Sequence, residues 1–191
     1  MLTKYFTEET FNHQDFTKEI FLKGEYSHCS FTNCNFEYVD LSEINFNNCN
    51  FNQCNLSLVK LMRTAFREVI FKDCKMFGLS FSDCNEFGLD FSFENCALNN
   101  SSFYKTDIRK TSFKNCQLIE VDFEQSGLSQ SILADCDCRG AIFMRTSLIK
   151  TDFRSSFNYT INPEKNKLKK ARFSLAEIAG LLQEYDITIE K

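Results

Sequence analysis

The sequence is poor in the residues that punctuate loops: its 191 residues include one proline, six glycines and no tryptophan. A sandwich or barrel of hairpins needs Gly and Pro at its many turns, so that class is disfavoured. No apolar run approaches the ~18 residues required to span a membrane. Met1 to Phe11 (MLTKYFTEETF) mixes charges with aromatics where a leader would be apolar. The expectation is one domain in the cytoplasm, without a membrane partner. The imidazoles are limited to His13 and His28, neither beside a nucleophile, and there is no Gly-rich phosphate loop, nucleophile elbow or HExxH. An enzyme would have no base, nucleophile or metal to rest on, so none is expected. The net charge of −4 argues against direct contact with nucleic acid, which needs a basic face. That charge is uneven, since residues 1–57 hold three lysines against eight carboxylates, while residues 58–157 are balanced.

What is abundant is phenylalanine, 22 copies, and cysteine, ten copies. In a reducing compartment the cysteines are read as thiols rather than as a disulfide framework. Zinc wants short clusters converging on one point. The cysteines here recur at intervals of five or twenty, so neither a metal nor another cofactor is expected.

The phenylalanines obey a five-residue period. From Phe6 the positions are Phe11, Phe16, Phe21, Tyr26, Phe31, Phe36, Leu41, Phe46, Phe51 and onward to Phe81. The period fails at Glu86, slips by two residues, and resumes from Phe93 through Phe103, Phe113 and Phe123 to Phe153, returning at Leu168 and Phe173. Two residues before each central position stands a small or aliphatic residue, among them Gly24, Cys29, Cys34, Val39, Ile44, Cys49 and Cys54. The other three positions are mostly polar. Neither the helical period of 3.6 nor the strand period of 2 produces this pattern. A five-residue unit with two inward positions describes one short extended segment and a turn. Four such segments close a square coil of twenty residues, and coils stack as parallel strands ~4.8 Å apart. The cysteines agree independently, with Cys34 recurring as Cys54 and Cys74, and Cys96 as Cys116 and Cys136.

Units such as CSFTN (Cys29 to Asn33), CNFNQ (Cys49 to Gln53) and AIFMR (Ala141 to Arg145) closely resemble the pentapeptide-repeat superfamily. The resemblance covers roughly residues 11–173. It implies an all-β solenoid, a right-handed quadrilateral parallel β-helix of about eight coils and ~38 Å by the strand spacing, with residues 1–10 as a lead-in. The slip near residues 86–93 is either a bulge that kinks the rod or an insertion that later coils absorb, the second being favoured because ladders resume after bulges.

Residues 174–191 form a tail. Ser174-Leu175-Ala176-Glu177 is a capping box that predicts a helix running to about Glu184. Its apolar residues Leu175, Ile178, Ala179, Leu182 and Tyr185 share one face. Ile187-Thr188-Ile189 alternates like a strand. This tail either caps the open end of its own rod or pairs with a second copy. A β-helix closed by a helix with Leu181-Leu182 and a final aliphatic strand is similar to the Qnr group of quinolone-resistance proteins. That resemblance implies a homodimer through Leu175, Ile178, Leu181, Leu182, Tyr185, Ile187 and Ile189, and DNA gyrase or topoisomerase IV as a partner. The segments FNHQDF (Phe11 to Phe16) and NEFGLDF (Asn85 to Phe91) also resemble that group, whereas long loops between coils are lacking.

Two functions fit. One is a rod whose acidic first 57 residues imitate part of a DNA duplex for a topoisomerase, giving protection from quinolones. The other is a scaffold that binds another protein through outward apolar residues, with Tyr38 and Leu58 one coil apart. The candidate partner-binding residues are Glu37, Tyr38, Asp40, Glu43 and Leu58. Asp135 and Asp137 flank the inward Cys136 as a solvated pair rather than an acid–base dyad. The run Lys165, Lys167, Lys169, Lys170 and Arg172 is a phosphate contact or, as such runs more often are, a solvated edge.

Overall fold

The computed structural model describes residues 3–185, 187, 188 and 190. The chain winds as a four-walled right-handed parallel β-helix, each pentapeptide supplying one wall of one coil. Strands β1 (Lys4–Thr7), β3 (Gly24–Ser27), β5 (Asn45–Asn47) and β7 (Ala65–Arg67) form a parallel sheet on the first wall. The second wall is a seven-stranded parallel sheet of β2 (Thr10–Asn12), β4 (Ser30–Thr32), β6 (Asn50–Asn52), β8 (Val69–Lys72), β9 (Phe91–Glu94), β10 (Ser112–Lys114) and β11 (Ile132–Ala134). Bridges at Asp152 and Arg172 extend it. Single parallel bridges hold the other two, Asp15–Asn35–Asn55–Lys75 and onward on the third, and Ser80–Ser102–Asp122–Ile142 on the fourth. Register steps by twenty, as in Phe31↔Phe51. Within the lead-in expected at residues 1–10, the stretch from Lys4 onward is already coil, because β1 pairs with β3 and Phe6 stacks on Tyr26 at 4.4 Å.

Both inward positions have a physical role. The central aromatics stack face to face along the axis, Phe11, Phe31, Phe51, Phe71, Phe93 and Phe113 lying 4.8, 4.6, 5.1, 5.3 and 5.1 Å apart in succession. A stack of this kind adds to plain burial. The small residue two positions earlier does more than fit. Thr64 Oγ1 donates to the Leu41 carbonyl (2.8 Å), Thr151 Oγ1 to Leu128 (2.7 Å) and Ser156 Oγ to Leu133 (2.6 Å), while Cys54 and Cys74 Sγ donate to Phe31 and Phe51 (3.4 Å each). Central carbonyls turned toward the interior thereby keep a partner, as buried polar groups must.

The turns carry a rule that the sequence pattern conceals. The residue two places after the centre has a positive φ in coil after coil, at His28 (56°), Asn33 (53°), Tyr38 (61°), Leu58 (58°), Arg63 (57°) and Lys150 (60°) among others. The left-handed region disfavours a β-carbon, so the stacking around each turn offsets a local strain.

The slip is absorbed rather than transmitted. One coil takes 22 residues, since Val69 pairs with Phe91 and Phe71 with Phe93. The surplus leaves as a loop over residues 84–90, tied at both ends by the Asn85 amide on the Thr64 carbonyl and the Asp90 amide on the Phe66 carbonyl (2.9 Å each). The loop interrupts the first wall, which resumes through the bridges Asp107–Gly127–Ser147–Lys167. Phe91 occupies a slot that in other coils takes Cys, Val, Thr or Ser, and its ring fills the missing central position, 5.3 Å from Phe81 and 5.1 Å from Phe93. Among the described residues no helix is long and apolar enough to cross a membrane.

Candidate functional site

The partner-binding candidates fall on one corner and its flanks. Glu37 and Tyr38 end the third wall at the second coil, and Asp40 opens the fourth. With Phe16, Phe21 and Val39 they line an open dip of about 560 Å³. Tyr38 stands over it 68% exposed. Asp40 accepts the Ser42 amide at 2.9 Å, and the Ser42 contacts hold its carboxyl below the usual range. Leu58 sits one coil on in the column of Tyr38, as expected, but it is half-buried because Gly78 leaves room beneath it. A Cβ at Gly78 would come within 2.8 Å of Leu58 Cδ2. Glu43 lies at the far corner of the fourth wall, ion-paired with Arg63 and with Lys23 (3.7 Å). The structure therefore joins Glu37, Tyr38 and Asp40, stacks Leu58 below them, and leaves Glu43 apart. Phe16 and Phe21 are core, as the five-residue period places them, and they border the dip as well because no coil lies above them. Ile20 (87% exposed) and Phe87 (79%) escaped the sequence reading.

The tail is not the α-helix that its capping box predicts. It forms two 3-10 turns, Ile178–Leu181 and Gln183–Tyr185. Half of the box is made, the Glu177 amide donating to Ser174 Oγ at 3.3 Å. The Glu177 carboxylate instead accepts the Asn158 amide (3.3 Å), and the Gly180 carbonyl accepts the Ile161 amide (2.9 Å). The last coil thus draws the tail's polar groups downward, and the tail stretches into the tighter 3-10 form to lie along it. Gly180 is required there, because a Cβ would come within 2.2 Å of the Tyr159 carbonyl oxygen. Thr160 Oγ1 donates to Gln183 (2.7 Å), Lys165 pairs with Glu184 (3.0 Å), and Tyr185 Oη donates to Glu164 (3.0 Å). The dimerisation candidates accordingly divide. Leu181 packs on the rod's own core and Ile178 and Leu182 are half-buried, whereas Leu175, Tyr185 and Ile187 remain exposed. Ile189 lies outside the described residues.

Nine of the ten cysteines are buried, and Cys84, at the foot of the loop, is half-buried. Burial pushes the Cys49 and Cys138 thiols up to about 12. His13 and His28 are exposed at turns. The Asp137 carboxylate accepts from Asn158 Nδ2 (2.8 Å) and pairs with Arg139 (3.5 Å). Among the described residues no group of three or more His, Cys, Asp or Glu side chains converges as metal ligands would.

The model of the family described as a pentapeptide repeat region matches residues 25–92, 44–112 and 89–160. The chain is a pentapeptide-repeat protein. No curated protein matches it by sequence. Solved structures of QnrB1, a plasmid-mediated fluoroquinolone resistance protein, share the fold of this pentapeptide-repeat chain. One trypsin-treated variant gives a TM-score of 0.62 at 15% identity, covering 98% of each chain. The full-length form gives 0.56 at 16% identity, covering 96% of this chain and all of that one.

Proposed function

We propose that this pentapeptide-repeat protein is a non-catalytic rod that binds a protein partner through its outer walls, the partner being a type II topoisomerase, DNA gyrase or topoisomerase IV. The observation that carries the binding role is the filled interior. Aromatic stacks and small hydrogen-bonding residues occupy it from Phe6 to Phe173, so recognition belongs to the walls. The choice of partner is supported by the likeness in fold to a fluoroquinolone resistance protein over almost the whole chain. The acidic first coils and the exposed Tyr38 between Glu37 and Asp40 supply a surface that a basic DNA-binding groove would accept. Dimerisation through the exposed Leu175 and Ile187 would give a two-headed rod suited to a two-fold partner. Titration into a gyrase supercoiling assay, with and without a fluoroquinolone, tests the reading. Inhibition of supercoiling or relief from the drug is expected, and no effect at a large molar excess over both gyrase and topoisomerase IV removes it. The corner of Tyr38 and Leu58 favours the alternative of a scaffold for another protein, in which case both enzymes are unaffected.

A further inference from the structure

The chain's small net charge averages two unlike halves of its first wall. On the N-terminal half the solvent-facing charges are Glu8, Glu25 and Glu68 against Lys4 and Arg67. Beyond the loop the same wall presents Arg109, Lys110, Lys150, Lys167, Lys169 and Lys170, all exposed, against Asp107 alone. Of the carboxylates around this patch, Glu86 shares a dip with Arg109 and Lys110 without an ion pair, and the others are engaged. Asp107 pairs with Arg109 (2.7 Å), Glu184 with Lys165 (3.0 Å), Asp152 with Arg154 and Arg172 (2.8 and 3.3 Å), and Glu124 with Arg145. Among the described residues the five lysines have no carboxylate partner.

Register makes the lysines an array. Lys167 closes the ladder Asp107–Gly127–Ser147–Lys167, and the Lys169 carbonyl accepts the Lys150 amide at 3.0 Å. Lys167 and Lys169 therefore project from the same side of one strand, ~6.6 Å apart, while Lys150 and Lys170 stack ~4.8 Å apart at the turn and Lys110 lies two coils up the same column. We infer that this wall is a docking surface for the phosphate backbone of a nucleic-acid duplex.

The composition of the wall selects that occupant. A protein interface needs an apolar, desolvated core, and Ile149 is the only large apolar side chain here. Single strands are held by aromatic platforms, and this half of the wall has none. Phosphate contact needs neither, since a duplex carries one charge per ~1.7 Å of axis and binding is driven by counterion release. Five flexible ammonium groups contact backbone without reading sequence, since the one Arg of the wall is held by Asp107 and Gln130 stands alone beside them. The acidic coils at the other end of the rod orient it, keeping the duplex to the C-terminal half. This surface is separate from the corner proposed for the protein partner.

Fluorescence anisotropy with two labelled 20-base-pair duplexes of unrelated sequence tests the inference on the full chain. Both are expected to bind alike near 50 mM salt, with a log–log salt slope of about −4 to −5 for five phosphate contacts. The variant Lys167→Glu with Lys169→Glu and Lys170→Glu should lose at least about tenfold in affinity and flatten the slope. Its melting temperature should match the parent's, because all three side chains are exposed. The charge-matched control Lys60→Glu, Lys72→Glu and Lys75→Glu, on other walls, should lose no more than about threefold. Absence of binding at 50 mM salt, equal losses in the two triple variants, or a strong preference between the duplexes overturns the inference. So does tighter binding to polyglutamate or to phosphatidylserine vesicles than to either duplex, which would assign the wall to an acidic protein or a membrane surface.

Discussion

At the scale of the residue, the interior trades chemical reactivity for order. The buried thiols serve as small donors to carbonyls of the coil before, and burial holds those of Cys29, Cys49 and Cys138 protonated. Burial pushes the Cys84 thiol up as well, but it alone has partial access to solvent, so labelling of the native protein should show Cys84 reacting ahead of nine slow sites, and all ten reacting after denaturation. Rapid native labelling of Cys54 or Cys74 would contradict the stacked interior. Tyr159 is, with Asn52 Oδ1, an exception to good order among the described residues: its side chain is buried, its hydroxyl has no hydrogen-bond partner, and burial pushes its pKa up to about 12. A phenol whose folded pKa lies above its unfolded value of about 10 contributes stability below pH 10 and loses it as pH rises toward 12. Tyr159→Phe should raise stability by about 1 kcal/mol at neutral pH, because an unsatisfied buried hydroxyl is removed. It should also flatten the decline in melting temperature above pH 10. A lower melting temperature than the parent's at pH 7 would show that the hydroxyl has a partner.

At the scale of the element, each pentapeptide was legible as an inward pair, and that is because the core position demands a large apolar side chain and the position two before it demands a small one. Phe31 with Cys29 and Phe51 with Cys49 state the rule outright. The left-handed turn was not legible, since His, Tyr, Glu, Leu and Arg all occupy it and none advertises a positive φ as Gly would. Stacking forces the turn, whatever residue is there. Tyr38 follows as a test that separates strain from recognition. Tyr38→Asn should preserve or raise stability by up to about 1 kcal/mol, since Asn suits the left-handed region better, while weakening any partner held at the corner. A fall of several degrees in melting temperature would mean that the exposed ring is structural. Phe91 falls on the five-residue step counted from Phe6, but in the resumed period its place calls for a small residue, and only the two-residue surplus frees the space for its ring. The tail was misjudged for a related reason. Its capping box is a local signal, and hydrogen bonds to residues some twenty positions away, from Asn158 and Ile161, outcompeted it. Gly180→Val should lift the tail from the last coil and cost about 2 kcal/mol or more. Sedimentation equilibrium of the same variant tells the tail's two roles apart: a parent dimer that becomes a soluble monomer ties the tail to pairing, and a parent that is already a monomer restricts it to capping.

At the scale of the whole molecule, what the sequence could not display was the sorting of charge among walls, because neighbours in a column are twenty residues apart and a running total mixes four surfaces. Opposite charges meet down the column Lys23–Glu43–Arg63, and like charges gather at Lys150 and Lys170. Such exposed pairs stabilise little, so their arrangement bears on partners more than on the fold. The loop over residues 84–90 has the opposite bearing. Each coil touches mainly the coils on either side, so stability along the rod is a chain of nearest-neighbour terms. At the loop one of those terms is thinned, the first wall passing from β7 to Asp107 without a continuous ladder. Hydrogen exchange should find two protected blocks, 4–83 and 91–173, with residues 86–89 exchanging fastest; fraying from the two ends alone would argue for a single block. A rod with such a joint can unfold in halves, and each half can lengthen or be exchanged in steps of twenty residues without rewriting the other, so the acidic head and the basic wall are free to diverge as separate modules.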